Sequence, residues 1–308
     1  MDNNNIFENA CLIQLNTSCW TGAKQIADGA MAQIGSIDPQ WLKGKKHLVN
    51  PEYLAPVKTA IYKARRVLAS HALPFPIASL TLVPKESIVR IEEMLRNAKL
   101  EFQREVDTFC ADYETACQEA AIYLGNHYSS LDYPQDIQRK FRMDWRFVAL
   151  SVPDRASILP AHLYEAEREK FVSLMQEARE LAIVSLREEF SGIVSHLVER
   201  LSENGDEEKP KILRNGMFSR FNEFMENFST RNIFQDDALS DLVAQAKQCI
   251  SGLDSQTVKT NGWLKNTLAD EMAKLKTQID SAIEEMPRRY IRYADNGNGM
   301  AAPAANAA

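Results

Sequence analysis

Side chains that could do chemistry are scattered along this chain. The five histidines, His47, His71, His127, His162 and His196, stand far apart, and none has metal-ligand spacing with another. The nearest polar grouping is His127 with Asp132, which reads most simply as a loop histidine beside an acid. Ser191 and Ser195 lie near His196. One turn of helix, however, cannot supply a nucleophile, an oriented base and an oxyanion hole together. Glu188 and Glu189 fall on an expected helix surface, where a solvated face is simpler than an acid/base pair. Gly22-Ala23-Lys24 lacks the preceding glycine-rich loop that wraps phosphates, and neither GxGxxG nor HExxH occurs. We therefore expect no catalytic, metal or cofactor-binding constellation, and no cofactor.

The five cysteines, Cys11, Cys19, Cys110, Cys117 and Cys249, are odd in number and show no CxxC pair. Cys110 and Cys117 are one heptad apart and share a helical face. Free cysteines pack as small hydrophobes, so a reducing, cytoplasmic setting is expected. The opening MDNNNIFENA has no Lys or Arg, unlike the start of a signal peptide. No apolar run approaches the ~20 residues that span a bilayer.

One segment carries concentrated charge. Lys43, Lys45, Lys46, Lys58, Lys63, Arg65 and Arg66 are opposed only by Glu52, with Trp41, Tyr53 and Tyr62 interleaved. Basic groups neutralise phosphates and aromatics stack on bases. The segment could equally be a solvated face or a contact for an acidic protein. Over all 308 residues, 36 basic against 42 acidic residues give a net charge of -6. That balance argues against a whole-surface nucleic-acid binder. Arg288-Arg289-Tyr290-Ile291-Arg292-Tyr293 is a second basic run, which could also complement the end of the last helix.

The elements that must hold these residues are mostly helices. Leu12 to Thr17 alternates as a strand and ends at Cys19-Trp20, where Thr21-Gly22 can turn the chain. A short helix is expected over Ala23 to Ala32 and another from Asn50-Pro51 to Ala72. Leu73-Pro74-Phe75-Pro76 breaks it, and Ile77 to Val83 is a second strand. From Ser87 to Leu124, apolar residues recur every three or four positions without Pro or Gly, which predicts one long amphipathic helix stopped by Gly125. A helix over Gln135 to Trp145 follows, then a long one from Ala161 to about Ser202. An acidic loop, Glu203 to Pro210, leads to a helix over Lys211 to Ser229. A third long stretch begins at an Asp cap near Asp236, bends at Ser251-Gly252 and Asn261-Gly262, and ends before Pro287.

Single-striped long helices must pack side by side. The expected fold is mainly α: an elongated antiparallel long-helix bundle with coiled-coil-like contacts. It carries a small α+β N-terminal head containing a two-stranded β element. Residues 1–84 form the head, 85–294 the bundle, and 295–308 a tail too poor in apolar residues to fold. Trp20 and Gly22 are read as structural anchors, with Trp20 covering the two-stranded patch.

Several stretches resemble a known family. Leu15 to Gly22 (LNTSCWTG), Lys43-Gly44-Lys45 leading to Pro51, the strand ending at Val83-Pro84, and Asn232-Ile233-Phe234-Gln235-Asp236-Asp237 are similar to segments of one family. It is an uncharacterised bacterial and phage family, the domain-of-unknown-function family numbered 3150. The resemblance runs from about Leu12 to Ile283. Phe75-Pro76-Ile77-Ala78-Ser79 departs from it by lacking a pair of glycines. The resemblance implies no reaction. It implies proximity to MoxR-type AAA+ ATPases and von Willebrand A proteins, and so a partner or client of an ATP-driven machine.

Three functions are weighed. The first is a non-enzymatic helical interaction or assembly protein, partnered by an AAA+ ATPase or by itself. The second is a nucleic-acid-binding accessory protein whose patch is Lys43, Lys45, Lys46, Lys63, Arg65 and Arg66. The third, a membrane-active helical protein, suits these segments least, because none is apolar enough to insert.

Overall fold

The nine-residue strand β1 (Ala10–Ser18) sits at the centre of the fold, entered through one turn of helix, α1 (Ile6–Asn9). The computed structural model describes residues 6–26, 44–151, 160–201, 218–253 and 255–285. The short strands β2 (Ala23–Gln25) and β3 (Lys45–His47) pair with each other, so Ala23 begins a strand rather than a helix. The rest of that expected helix, with Trp41 and Lys43, lies outside the described residues. So do residues 203–217 and the basic run and tail after Glu285.

Next come α2 (Ala55–His71), β4 (Leu73–Pro74), β5 (Leu80–Pro84), α3 (Ile88–Leu124) and β6 (Arg142–Val148). The two expected strands do pair, from Ala10 opposite Pro84 to Gln14 opposite Leu80. The sheet they form is four-stranded, however, in the order β4-β5-β1-β6, and antiparallel throughout. The two-stranded expectation is therefore corrected, as is the helix over Gln135 to Trp145. Arg142-Met143-Asp144-Trp145-Arg146-Phe147 alternates charged and apolar residues and runs along β1 as an edge strand. Helices pack on both sides of the sheet, so β1 buries both of its faces. Side chains in β1 accordingly alternate, Leu12 going to one core and Ile13 to the other.

On one face, α2 packs on α3, whose buried stripe runs from Ile91 through Phe109 to Ala120. At 37 residues, α3 is about 55 Å long. It ends where Gly125 takes φ +50°, a conformation that a side chain resists. On the other face lies α4 (Ala161–Leu201), followed by α5 (Ser219–Arg231), α6 (Asp237–Ile250), α7 (Ser255–Thr260) and α8 (Gly262–Glu284). The breaks before α7 and α8 fall at the two predicted bends. Asp236 and Asn261 cap α6 and α8 through the amides of Leu239 and Leu264. Helices α4 and α8 run antiparallel: Arg187 reaches the Ala282 carbonyl, and Ser191 donates to Asp280 at 2.7 Å. Among the described residues, no helix is long and apolar enough to cross a membrane.

Candidate functional site: a groove beside the first half of α4

The apolar stripe of α4 is not buried along its whole length among the described residues. Its fully buried residues start at Ala178 and continue through Ala182, Leu186 and Phe190 to Leu201. In the first half, Phe171, Leu174 and Met175 are half-buried, and Leu163 and Val172 are exposed. That half borders a groove of about 740 Å³. Its apolar lining comes from Ile6 and Phe7 of α1, Leu150 after β6, Phe171, Val172 and Met175 of α4, and Ile233 and Phe234 before α6. Among the described residues, the formal charges on the lining are Arg168 and Arg179.

The Ile233–Phe234 wall is fixed by a polar knot. Gln235 takes φ +54°, which turns the chain sharply. The Asn232 side chain accepts from the Asp236 amide at 2.9 Å and donates to Ser240 at 3.0 Å. Arg187 grips both Asp236 oxygens, at 2.7 and 2.9 Å. Burial pushes the Asp236 carboxyl up, but the Arg187 guanidinium and the Leu239 amide outweigh it and hold it below the ordinary value. This wall was legible only as a helix start. Its link to Arg187 joins residues far apart in sequence.

The basic segment is distributed over several partners. Lys46 and Lys24 converge on Asp132 at 2.6 and 2.5 Å, and Lys46 also donates to the His127 carbonyl at 2.7 Å. These contacts hold the Asp132 carboxyl low, with the hydrogen bond from Lys24 as the largest cause. Lys63 pairs with Glu101 of α3, Arg65 donates to Thr17, and Arg66 pairs with Glu223 of α5. Lys45 lies exposed on β3. His127 thus enters through its backbone, and Asp132 ties loops together.

Trp20 is half-buried, and its ring meets α3 rather than covering the β1–β5 pair: Tyr113 lies edge-on at 5.8 Å and Phe109 at 6.2 Å. Phe141 extends the cluster through Phe109 at 5.5 Å. Gly22 takes φ +64°, and a Cβ there would lie 2.6 Å from Leu54 Cδ1. Its carbonyl accepts from the Leu48 amide at 2.8 Å, which closes the turn.

Residues 7–203 match the family described as Protein of unknown function (DUF3150). The chain belongs to this family. No curated protein and no solved structure matches it. The DUF3150 match takes in the whole sheet, α2, α3 and α4, and ends before α5. The groove therefore has most of its lining inside the DUF3150 region and its Ile233–Gln235 wall outside it.

General acid/base work needs a pKa near the working pH, and the shifted groups of this DUF3150 protein move the other way. Burial raises the thiols of Cys11, Cys19, Cys110 and Cys117, and pushes Cys249 up to about 11. Burial also takes the Tyr133 phenol up to about 12 and lowers His71. Asp132, Asp236 and Asp280 are held low by their partners. Among the described residues, no three His, Cys, Asp or Glu side chains gather as a metal site. Among the described residues the groove offers apolar contact, two cations and the uncharged polar side chains of Asn9, Ser151, Tyr164, Gln176 and Gln235.

Proposed function

We propose that this chain is a non-enzymatic helical interaction or assembly protein. The observation that carries the reading is the groove beside α4, with apolar side chains along much of its lining and, among the described residues, charge from Arg168 and Arg179. Helix-in-groove recognition uses an apolar face as anchor and flanking charge for orientation. The occupant that fits is an amphipathic segment of a partner protein with acidic residues beside its apolar stripe. The family resemblance suggests the partner, a MoxR-type AAA+ ATPase. In this reading the helices act as an elongated antiparallel bundle that presents the groove. Nucleic-acid binding by the basic segment is the weaker reading, because Lys46, Lys63 and Arg66 already face carboxylates.

The test is co-purification with a MoxR-type ATPase encoded beside the gene, repeated with Val172→Glu and Arg179→Glu. Val172 is 41 % exposed, so the first change places a carboxylate on the groove without opening a core. Recovery of the ATPase by the parent chain and its loss in both variants is the expected outcome. No recovered ATPase, together with a strictly monomeric light-scattering profile, would overturn the proposal.

A further inference from the structure

A buried polar atom left without a partner costs about 1–3 kcal/mol. Among the described residues such side-chain atoms belong to two residues, Nε2 of His71 and Nε and Nη1 of Arg231. His71 ends α2 and Arg231 ends α5, and these helices pack together. The His71 Nδ1–H donates to the Val67 carbonyl at 3.0 Å, which leaves Nε2 as a bare acceptor. Arg231 is 2 % exposed. Its described contact is made by Nη2, which donates to Glu189 Oε2 at 2.7 Å.

The same arginine lines a cavity of about 510 Å³, within the size range of small-molecule sites. Leu68 of α2 and Ala72 just after it form an apolar wall, Ser79 and Thr81 supply hydroxyls, and Arg65 stands at the rim. The charged groups on the lining are Arg65, Arg231 and Glu189, a net excess of one positive charge. Arg231 is locked in place, whereas the Glu189 side chain is 35 % exposed and can turn into solvent. Glu188 and Glu189 therefore differ: Glu188 is the solvated carboxylate expected from the sequence, and Glu189 is the counter-ion of a buried guanidinium.

We propose that this cavity binds a small carboxylate with a short apolar body, and that Glu189 is its internal stand-in. The incoming carboxylate displaces Glu189 from Nη2 and takes over its charge-assisted hydrogen bond to the guanidinium. Leu68 and Ala72 receive the apolar body. Arg65, which donates to Thr17 at 2.9 Å, adds positive charge at the mouth.

Butyrate has both features, and inorganic phosphate has the charge alone. Titrations followed by calorimetry and by melting temperature should show saturable butyrate binding that phosphate at equal ionic strength does not match. Glu189→Gln should tighten butyrate binding several-fold, because the competing carboxylate loses its charge. Arg231→Met should abolish binding. A pair that serves only structure gives a different pattern, in which Glu189→Gln lowers the melting temperature and gains no affinity. That result, or butyrate behaving like phosphate, would overturn the proposal. Should Arg231→Met fail to melt cooperatively, the Glu189→Gln titration decides alone.

Discussion

Against one face of the sheet lie α2 and α3; against the other lie α4 and the helices that follow it. The first face closes with apolar and aromatic side chains, Ile13, Val83, Leu95, Phe102 and Phe109 among them. Its ion pairs sit mostly at the edges, as with Lys63 and Glu101, and the shielded one, Lys46 with Asp132, ties loops together beside the sheet. The second face is also apolar at its centre, through Leu12, Leu82 and Phe190. It differs in placing charge deep, with Arg231 and Asp236 buried and Arg187 tied to Asp236. The groove also lies on this side. Exposed ion pairs contribute little, whereas breaking a buried pair strands a charge. The first face is therefore built for stability, and the second trades some stability for a defined geometry.

The most severe way to break this contrast is to end the chain after residue 203, where the family match stops. The α2–α3 face would keep all its elements. The stripe from Ala178 to Leu201 would lose α5, α6 and α8, which cover it. The truncated chain should lose its cooperative melting transition and aggregate, as calorimetry and light scattering would show. A soluble, cooperative fragment would mean that α4 needs no cover.

A smaller effect is expected from the buried pair. Arg187→Met leaves Asp236 uncompensated and should cost about 3–5 kcal/mol in denaturant unfolding. The double variant Arg187→Met/Asp236→Leu should recover part of the loss, which would separate the stranded charge from the packing. The native pair also has a pH signature. The Asp236 carboxyl is depressed in the folded state, so the unfolded chain takes up the proton first on acidification. The stabilisation is complete above the ordinary aspartate range, near ~4, and is lost as pH falls through the folded value. Asp236→Asn should remove that component of the acid profile.

The smallest effect should come from the first face. Trp20→Ala removes a half-buried ring from Phe109 and Tyr113, and should cost about 1–3 kcal/mol, below the range for a fully buried aromatic. Far-UV circular dichroism should show the long helices intact. A loss larger than that of Arg187→Met would reverse the ranking of the two faces.

The long helices were legible because their stripes are local: Ile91, Leu95, Ala98 and Phe102 repeat within a few turns. The pairing of β1 with β5 was legible from two apolar runs. Strand β6 was misread because Gln135 to Lys140 is rich in polar helix formers. The alternation that marks an edge strand begins only at Arg142. The groove and both deep ion pairs were beyond the sequence for a different reason. Arg187 with Asp236, and Glu189 with Arg231, meet across dozens of residues, and no local period encodes such a meeting. Glu189 looks like any other carboxylate on a helix surface until α5 is set beside it.

The position of β1 also bears on the order of events during synthesis. One neighbour, β5, follows within the first 84 residues, but the other pairs Ser18 with Arg142, about 120 residues later. At a ribosome's pace, that gap is roughly ten seconds. For that interval the central strand has one side open, and the emerging α3 is the element at hand to shield its Ile13 face. Strand β1 is thus made early and finished late, so delays in elongation before residue 142 would prolong the time its β6-side edge stays open to other chains.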